Sequence, residues 1–387
     1  MTPLSLNIVD VLPAGTALEN YLITGLIGQG GFGVVYLARD IHSNRTVAIK
    51  EFLPTAIAAR REGGHVLPRN SDMANAYGGG LKGFLREANL LSEFAHPALV
   101  AVHRAWEQNG TAYMAMQYYP GKTLRDVRKT GAAATQRPTE AQIQAWMSPV
   151  LEAVAELHAH RVIHRDVSPD NILVMANGET VLLDLGAARQ VLGGMTQALT
   201  TILKPGFAPI EQYVEDGSME QGRWTDVYGL GAVIYFLVTG QAPTPATSRI
   251  VRDALPPLTA LAPRDLYSPA FFNAVAKALS LRAIDRFKSI AEFRTALGWV
   301  VQRRAAPAQI EQTTTAERLT ETQMRQLHAL PVDPPAAVKP QAATAEPMIN
   351  LRAKSQSYEA PSQVLSKLWV ALIIAVAVVI TAVFALR

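Results

Sequence analysis

The most informative stretch of this sequence is HRDVSPDN, at positions 164–171. An aspartate such as Asp166 can orient a hydroxyl group and accept its proton, and Asn171, five residues later, can bind a metal ion. Asp170 is interpreted as an ordinary loop residue of the cluster, because aspartates are common in loops. This combination and spacing rarely arise by chance, so the stretch predicts a site that joins a base to a metal ligand.

A second carboxylate follows in the tripeptide Asp184-Leu185-Gly186, thirteen residues after Asn171. The residues before it, VLL at 181–183, have the pattern of a short buried strand. An Asp-x-Gly tripeptide is usually a simple turn, but a carboxylate at a strand end can hold magnesium between phosphates. The order of the two motifs favours the metal-binding interpretation.

A glycine-rich segment, GQGGFGVV, lies far upstream at 28–35. Glycines allow backbone amides to approach phosphates closely. Dinucleotide-binding folds have a similar pattern, but they require a helix directly after the glycines. Residues 34–40 have a strand pattern instead, so we predict a hairpin that covers phosphates.

The strand VAIK at 47–50 ends in Lys50, seventeen residues past the last glycine of that segment. A lysine there is placed to reach α- and β-phosphates if a carboxylate holds it. Glu87, in a predicted helix at 82–94, is the preferred partner, with Glu93 as the competitor. Leu91 would share the inward face of that helix with Glu87, which decides between them.

The remaining pattern predicts a strand-rich first part and a helix-rich second part, an α+β, two-lobed layout. Residues 51–80 contain glycine pairs and triplets and are predicted to form a long loop. Thr139 and Gln142 form a capping box at the start of a long predicted helix. The predicted strands cover 21–46, 99–106 and 111–117, and the predicted helices cover 139–161, 225–239, 269–281 and 289–304.

The composition excludes several other kinds of site. The 387 residues include no cysteine, which rules out disulfides, cysteine-based zinc sites and a thiol nucleophile. The net charge is only +4 and the basic residues are scattered, so no nucleic-acid surface is indicated. His158 and His160 lie two residues apart and face different directions on a helix, so structural roles are favoured over a metal cluster with His164.

The C-terminal part has two distinct segments. Residues 306–366 are rich in Ala, Pro, Gln and Thr and are predicted to form a disordered tether. The uncharged apolar run at 368–386, between Lys367 and Arg387, is long enough to cross a bilayer. The N-terminus lacks a signal-peptide pattern. We therefore expect a single-pass protein of the inner (cytoplasmic) membrane with its catalytic part in the cytoplasm.

Taken together, residues 20–300 resemble the eukaryotic-like serine/threonine protein kinases found in bacteria. The resemblance implies a two-lobed protein kinase fold with an antiparallel β N-lobe and a helical C-lobe. It implies transfer of the ATP γ-phosphoryl group to Ser or Thr hydroxyls of proteins, with ATP and Mg²⁺ as cofactors and Mn²⁺ as an alternative metal. The implied segments are an N-terminal extension (1–19), an N-lobe (20–118) with the 51–80 insertion, a C-lobe (119–305), a linker (306–366) and a membrane anchor (367–387).

The resemblance also implies roles for individual residues. Asp166 is implied as the catalytic base, Lys50 and Glu87 as the ATP lysine and its partner, and Asn171 and Asp184 as metal ligands. The implied nucleotide-binding residues are Ile27, Gly28, Gly30, Gly31, Gly33, Val35, Ala48, Lys50, Met116 (gatekeeper), Gln117 and Tyr118 (hinge), and Leu173.

Further implied roles are structural, and two of them come with mild departures from the family pattern. Pro209-Ile210-Glu211 is similar to the Ala-Pro-Glu motif, with Ile in place of Pro, and Leu185 stands where Phe is usual. Arg286 is the implied partner of Glu211. Asp226 is implied to support the loop that carries Arg165 and Asp166.

One departure is serious, because such kinases usually carry a Lys two residues after the catalytic Asp, and Ser168 stands there. They also usually carry a Thr in the segment before the Ala-Pro-Glu motif, at the place where this sequence has Lys204. We hypothesise that the two groups have exchanged positions, so that Lys204 supplies the ammonium and Ser168 the hydroxyl. The alternative is that Lys204 is an ordinary surface lysine.

The sequence also suggests phosphorylation sites, partners and alternative functions. Thr196, Thr200 and Thr201 are candidate autophosphorylation sites, whose phosphate Arg165 could bind. Expected partners are protein substrates and the membrane, and a homodimer for phosphorylation in trans stays open. The rivals are a pseudokinase scaffold that binds ATP and partners, a small-molecule phosphotransferase, and an anchored protein whose kinase fold only recruits partners.

Overall fold

The computed structural model describes residues 10–130, 136–185, 203–214 and 218–299. Within these ranges no helix is both long and apolar enough to cross a bilayer. The predicted tether at 306–366, the predicted membrane anchor at 367–387 and the three candidate phosphorylation sites, Thr196, Thr200 and Thr201, lie outside the described residues.

The first part of the chain forms a six-stranded antiparallel sheet, as the strand pattern predicted. Its strands are β1 (Ala17–Leu18), β2 (Tyr21–Gly30), β3 (Gly33–Asp40), β4 (Thr46–Phe52), β7 (Val102–Gln108) and β8 (Thr111–Gln117). Their order in the sheet is β1-β2-β3-β4-β8-β7. Alternating apolar residues on β3 place Val34, Tyr36 and Ala38 in the core of this lobe.

The prediction of a long loop at 51–80 was wrong. The segment contains a two-stranded hairpin, β5 (Ala58–Arg60) and β6 (Val66–Pro68), and then a short 3₁₀ turn at Ser71–Met73. Helix α1 spans Ala74–Ser92, so the three glycines at 78–80 lie within it. The glycines at 78–80 led to the incorrect loop prediction. Packing of the helix on β7 and β8 outweighs the low helix propensity of glycine.

The second part of the chain is a helical lobe built around α4 (Arg223–Thr239), of which fourteen of seventeen residues are buried. Four of its helices begin with a hydroxyl side chain that accepts a hydrogen bond from a backbone amide of the first turn, namely Thr123, Thr139, Ser268 and Ser289. The helices are α2 (Leu124–Lys129), α3 (Glu140–Ala159), α4 (Arg223–Thr239), α5 (Ala246–Arg249), α6 (Leu258–Leu261), α7 (Pro269–Ala278) and α8 (Ile290–Ala296).

A small sheet positions the two carboxylate motifs. Strands β9 (Gly121–Thr123), β10 (Ile172–Met175) and β11 (Thr180–Leu182) are antiparallel in the order β11-β10-β9. The HRDVSPDN loop leads directly into β10, and Asp184 follows β11, the strand paired with β10. Because the two loops leave the same end of one strand pair, the sheet brings their side chains together. The α+β, two-lobed fold predicted from the sequence is therefore confirmed.

Candidate active site

Lys50 lies on β4, which is hydrogen-bonded between β3 and β8 and is therefore held on both edges. Its Nζ atom is 3.7 Å from Oε1 of Glu87 on α1 and 2.9 Å from Oδ1 of Asp184. Glu87 is buried, whereas the competing Glu93 is exposed at the end of α1. Leu91 is buried with Glu87, as the helical spacing predicted.

The loop that carries Asp166 is held by hydrogen bonds to the buried carboxylate of Asp226 on α4. Its Oδ2 accepts a hydrogen bond from the backbone amide of His164, and its Oδ1 accepts one from the amide of Arg165, both at 2.8 Å. The backbone of Arg165 is in the left-handed region, with φ of 66°. These bonds hold a conformation that a non-glycine residue seldom adopts. His158 Nε2 lies 2.7 Å from Oδ2 of the same carboxylate, which gives this histidine a structural partner.

His164 joins the two carboxylate motifs. Its Nε2 lies 2.9 Å from the carbonyl oxygen of Leu183, the residue before Asp184. Its Nδ1 accepts a hydrogen bond from the amide of Asp166 at 3.3 Å. Burial lowers the pKa of His164, despite the nearby carboxylates. The ring is therefore neutral near pH 7, which allows one nitrogen to accept and the other to donate.

Asn171 is held directly by Asp166. Its Nδ2 donates to the backbone oxygen of Asp166 at 2.8 Å and to the Oδ2 atom at 2.5 Å. This orientation leaves the amide oxygen as the atom that can bind a metal. A neutral amide oxygen together with the carboxylate of Asp184 is the all-oxygen donor set that Mg²⁺ prefers. The residues present therefore fit a magnesium ion. Phosphate and water oxygens would complete its coordination shell.

Lys204 lies beside Asp166. Its Nζ donates to Oγ of Ser168 at 2.7 Å and lies 3.4 Å from Oδ2 of Asp166. Ser168 is fully buried, and the side chain of Lys204 is only 21% exposed. The surface-lysine interpretation of Lys204 is therefore wrong, because its ammonium group points into the site.

The glycine-rich segment forms the turn between β2 and β3, and its glycines fall into two groups. A Cβ atom at Gly28, Gly30 or Gly31 would meet nothing within 4 Å, so the backbone there is open to a ligand. A Cβ atom at Gly33 would lie 2.0 Å from the carbonyl oxygen of Glu51. Gly33 is therefore required by the close approach of β3 and β4.

The implied adenine-binding residues lie where the two lobes meet. Ala48 and Met116 are buried and face each other across β4 and β8. Val35, opposite Lys50, is partly buried against the same cluster, and Leu173 lies on β10. Gln117 ends β8, Tyr118 follows it, and Ile27 is half exposed on β2.

The predicted pair of Glu211 and Arg286 is present and buried. The two terminal guanidinium nitrogens of Arg286, Nη1 and Nη2, donate to the two carboxylate oxygens of Glu211 at 2.7 and 3.1 Å. Thr225 also donates to Glu211, which fixes the end of the segment that carries Lys204 to α4.

The ion pair between Arg125 and Asp170, close to Asp166 in the chain, was not predicted from the sequence. Arg125 on α2 donates to both carboxylate oxygens of Asp170, at 2.5 and 2.8 Å. Burial favours a higher pKa for Asp170, but the bonds from Arg125 and the charge of Lys204 outweigh it, so the pKa is lowered. The side chains come from positions forty-five residues apart, and no local pattern links them.

Comparison with known proteins identifies the family. The family model described as "Protein kinase domain" matches residues 21–261. Serine/threonine-protein kinase PknB of Mycolicibacterium smegmatis is 31% identical over 297 residues, which cover 72% of this chain and 42% of that protein. Serine/threonine-protein kinase PknD of Chlamydia trachomatis is 26% identical over 313 residues, which cover 72% of this chain and 31% of that protein. The chain thus matches less than half the length of these curated relatives.

Solved structures give the same assignment. The apo form of PpkA-294 is 40% identical, with a TM-score of 0.68, and the alignment covers 74% of this chain and 99% of that one. The kinase domain of Mycobacterium tuberculosis PknI, at 21% identity and a TM-score of 0.55 over 74% of this chain and 99% of that one, shares the fold. The chain belongs to the protein kinase domain family.

Proposed function

We propose that this chain is a serine/threonine protein kinase that transfers the γ-phosphoryl group of MgATP to Ser or Thr hydroxyls of proteins. The observation that carries the proposal is the position of Lys50, whose Nζ lies 2.9 Å from Asp184 and 3.7 Å from Glu87. This contact joins the lysine of the N-lobe to the metal-ligand candidate of the C-lobe. Family membership and the names of the similar kinases support the same proposal.

In the proposed reaction, Asp166 accepts a hydrogen bond from the acceptor hydroxyl and then its proton. The acceptor oxygen forms a bond to the γ-phosphorus, and the bond between that phosphorus and the β–γ bridging oxygen breaks, releasing ADP. Asn171 and Asp184 would hold Mg²⁺, which when bound neutralises charge on the phosphates. Lys50, fixed by Glu87, would bind the α- and β-phosphates. The glycine-rich turn and the residues at the lobe junction would bind the rest of ATP.

The exchange of Lys204 and Ser168 is part of this proposal. A cation close to the transferred phosphoryl group stabilises the charge that develops there. The short Nζ–Oγ distance of 2.7 Å supports Lys204 as that cation and Ser168 as the hydroxyl that orients it. Asp166, with its Oδ2 3.4 Å from the same nitrogen, completes a compact group of base, hydroxyl and cation.

Regulation is proposed through Thr196, Thr200 or Thr201, which would be phosphorylated by the kinase itself, within one chain or between two copies. Arg165 supports this proposal, because its Nε atom is buried and has no hydrogen-bond partner among the described residues. A phosphate supplies acceptor oxygens for such a donor. Mass spectrometry of active protein tests this proposal, and an unmodified loop in active protein would contradict it.

Membrane attachment and the segment boundaries are also proposals. The uncharged run at 368–386 supports a C-terminal anchor, with 306–366 as the linker and the kinase lobes in the cytoplasm. Fractionation of cells that express the full chain, compared with a chain ending at 366, tests the anchor. Equal amounts of both chains in the membrane fraction would contradict it.

The function is tested by incubating the purified full chain with MgATP labelled at the γ-phosphate, beside an Asp166→Asn control. Label that appears on the protein only with Asp166 intact supports a protein kinase. Bound ATP without transfer of label would favour the pseudokinase scaffold instead, and the absence of lysine at position 168 would be its first explanation.

A further inference from the structure

Glu51, the residue after Lys50, carries a buried carboxylate, and only one of its two oxygens accepts hydrogen bonds from described residues. Glu51 is fully buried, and its Oε2 accepts hydrogen bonds from Arg60 Nη2 at 2.5 Å and from the Tyr36 hydroxyl at 2.7 Å. Within the described part of the chain, no group donates a hydrogen bond to Oε1. A buried carboxylate is stable only when it is paired, so Glu51 depends on the counter-ion that Arg60 provides.

Arg60 belongs to the β5–β6 hairpin in the 51–80 insertion, and its side chain is only 6% exposed. It ties three separate segments together. Its Nε donates to the backbone oxygen of Asp10 at 2.9 Å, and its Nη1 donates to the oxygen of Gly64 at 2.8 Å. Its Nη2 reaches Glu51. The backbone amide of Arg60 also donates to the Asp10 side chain at 3.1 Å.

The hairpin is built into the lobe rather than attached to its surface. The amide of Val66 donates to the oxygen of Asn109 in the β7–β8 turn at 2.8 Å. A Cβ atom at Gly110 in that turn would lie 2.6 Å from the oxygen of Val66. The hairpin is therefore fixed independently of Arg60, and it can act as a rigid support for the guanidinium group.

The location of Glu51 links this support to the site. Successive side chains of a strand point to opposite faces, so Lys50 and Glu51 leave β4 on opposite sides. Lys50 faces Glu87 and Asp184, while Glu51 faces Arg60 and Tyr36. Because both side chains belong to one strand, a rotation of β4 that displaces Glu51 also displaces Lys50, and the bonds of Glu51 oppose that rotation.

We propose that Arg60 is a positioning residue for Lys50, so that the insertion at 51–80 orients the ATP-binding lysine through the buried pair of Arg60 and Glu51. This inference rests on the proposed role of Lys50 in binding ATP. It assigns a purpose to a segment whose role the sequence left open.

The test measures the position of Lys50 directly. An acyl-phosphate derivative of ATP binds the nucleotide site and transfers its acyl group to a lysine beside the phosphates, and mass spectrometry measures the rate at Lys50. We expect Arg60→Met in the full chain to reduce that rate at least tenfold. Arg60→Lys, which restores a charge but not the fork of donors, should recover part of it. Arg69→Met is the matched control, because this arginine directly after β6 is exposed and its Nε donates to the backbone oxygen of Thr55.

Each outcome has one meaning. Labelling of Arg60→Met within twofold of the unsubstituted chain overturns the inference. Cooperative thermal unfolding must show that the variant is folded. If it is not, the double variant Glu51→Met with Arg60→Met removes both charges together and keeps the volume. Labelling of that variant should stay at least threefold below the unsubstituted chain, and equal labelling overturns the inference. Failure to label Lys50 in the unsubstituted chain overturns the proposed function itself.

Discussion

Replacing Lys204 by Ala should lower kcat far more than it changes the KM for ATP. The ammonium group lies 3.4 Å from Asp166, and both side chains are less than a quarter exposed. Two unit charges at that distance attract by roughly 5 kcal/mol at an effective dielectric constant of about 20. Part of this attraction offsets desolvation, so the ground-state effect is smaller. Loss of one positioned donor at a developing charge costs about 10²–10³ in kcat, or about 2.7–4 kcal/mol.

The assay is a steady-state measurement of phosphate transfer to a peptide substrate at varied ATP. Lys129→Ala is the control, because this exposed lysine acts on Asp170 through its charge alone. The decisive variant is the exchange itself, Ser168→Lys with Lys204→Ser, which should recover at least tenfold over Lys204→Ala. A Lys204→Ala protein whose kcat lies within threefold of the unsubstituted chain would refute the reasoning.

Three further predictions concern stability and pH. Arg286→Met leaves Glu211 buried without its ion pair and should lower the free energy of unfolding by about 3–5 kcal/mol in urea titrations, and a change below about 1 kcal/mol would contradict this expectation. Gly33→Ala should destabilise the protein by about 1–3 kcal/mol, because its Cβ would meet a carbonyl oxygen of the next strand, whereas Gly30→Ala, with open space, should change stability by less than about 0.5 kcal/mol. Because burial lowers the pKa of His164, the unfolded chain binds a proton that the folded protein excludes, and stability falls as the pH drops below about 6.5. His164→Asn should reduce that fall by up to about 1.4 kcal/mol per pH unit, and an identical pH dependence in both proteins would refute this assignment.

Local sequence patterns were sufficient to predict secondary structure elements where the residues that define an element are close together in the chain. The strand that carries Lys50, the helix that carries Glu87 and the cap at Thr139 follow from apolar spacing and from hydroxyl capping. Asp166, Asn171 and Asp184 come together because the sheet order β11-β10-β9 places their loops at one end.

Sequence reasoning failed where tertiary contacts decide. The glycines at 78–80 are poor helix formers individually, yet the sheet packed against α1 holds them in a helix. The roles of Arg60 and Arg125 depend on partners that are distant in the chain or that belong to another element. The exchange of Lys204 and Ser168 could be hypothesised from the sequence, because the family pattern places a lysine and a threonine at these two positions. The distance between their side chains could come only from the structure.

The three hydrogen bonds at Asp226 have a consequence for the dynamics of the chain. Two of the donors are backbone amides of the loop that carries Asp166, and the acceptor lies on α4, of which fourteen of seventeen residues are buried. Hydrogen bonds to a buried helix oppose local opening of the loop, so the amides that make them exchange mainly through larger unfolding events. We therefore expect the amide hydrogens of His164 and Arg165 to exchange as slowly as those of α4. The backbone of this loop should then remain rigid on every timescale shorter than global unfolding.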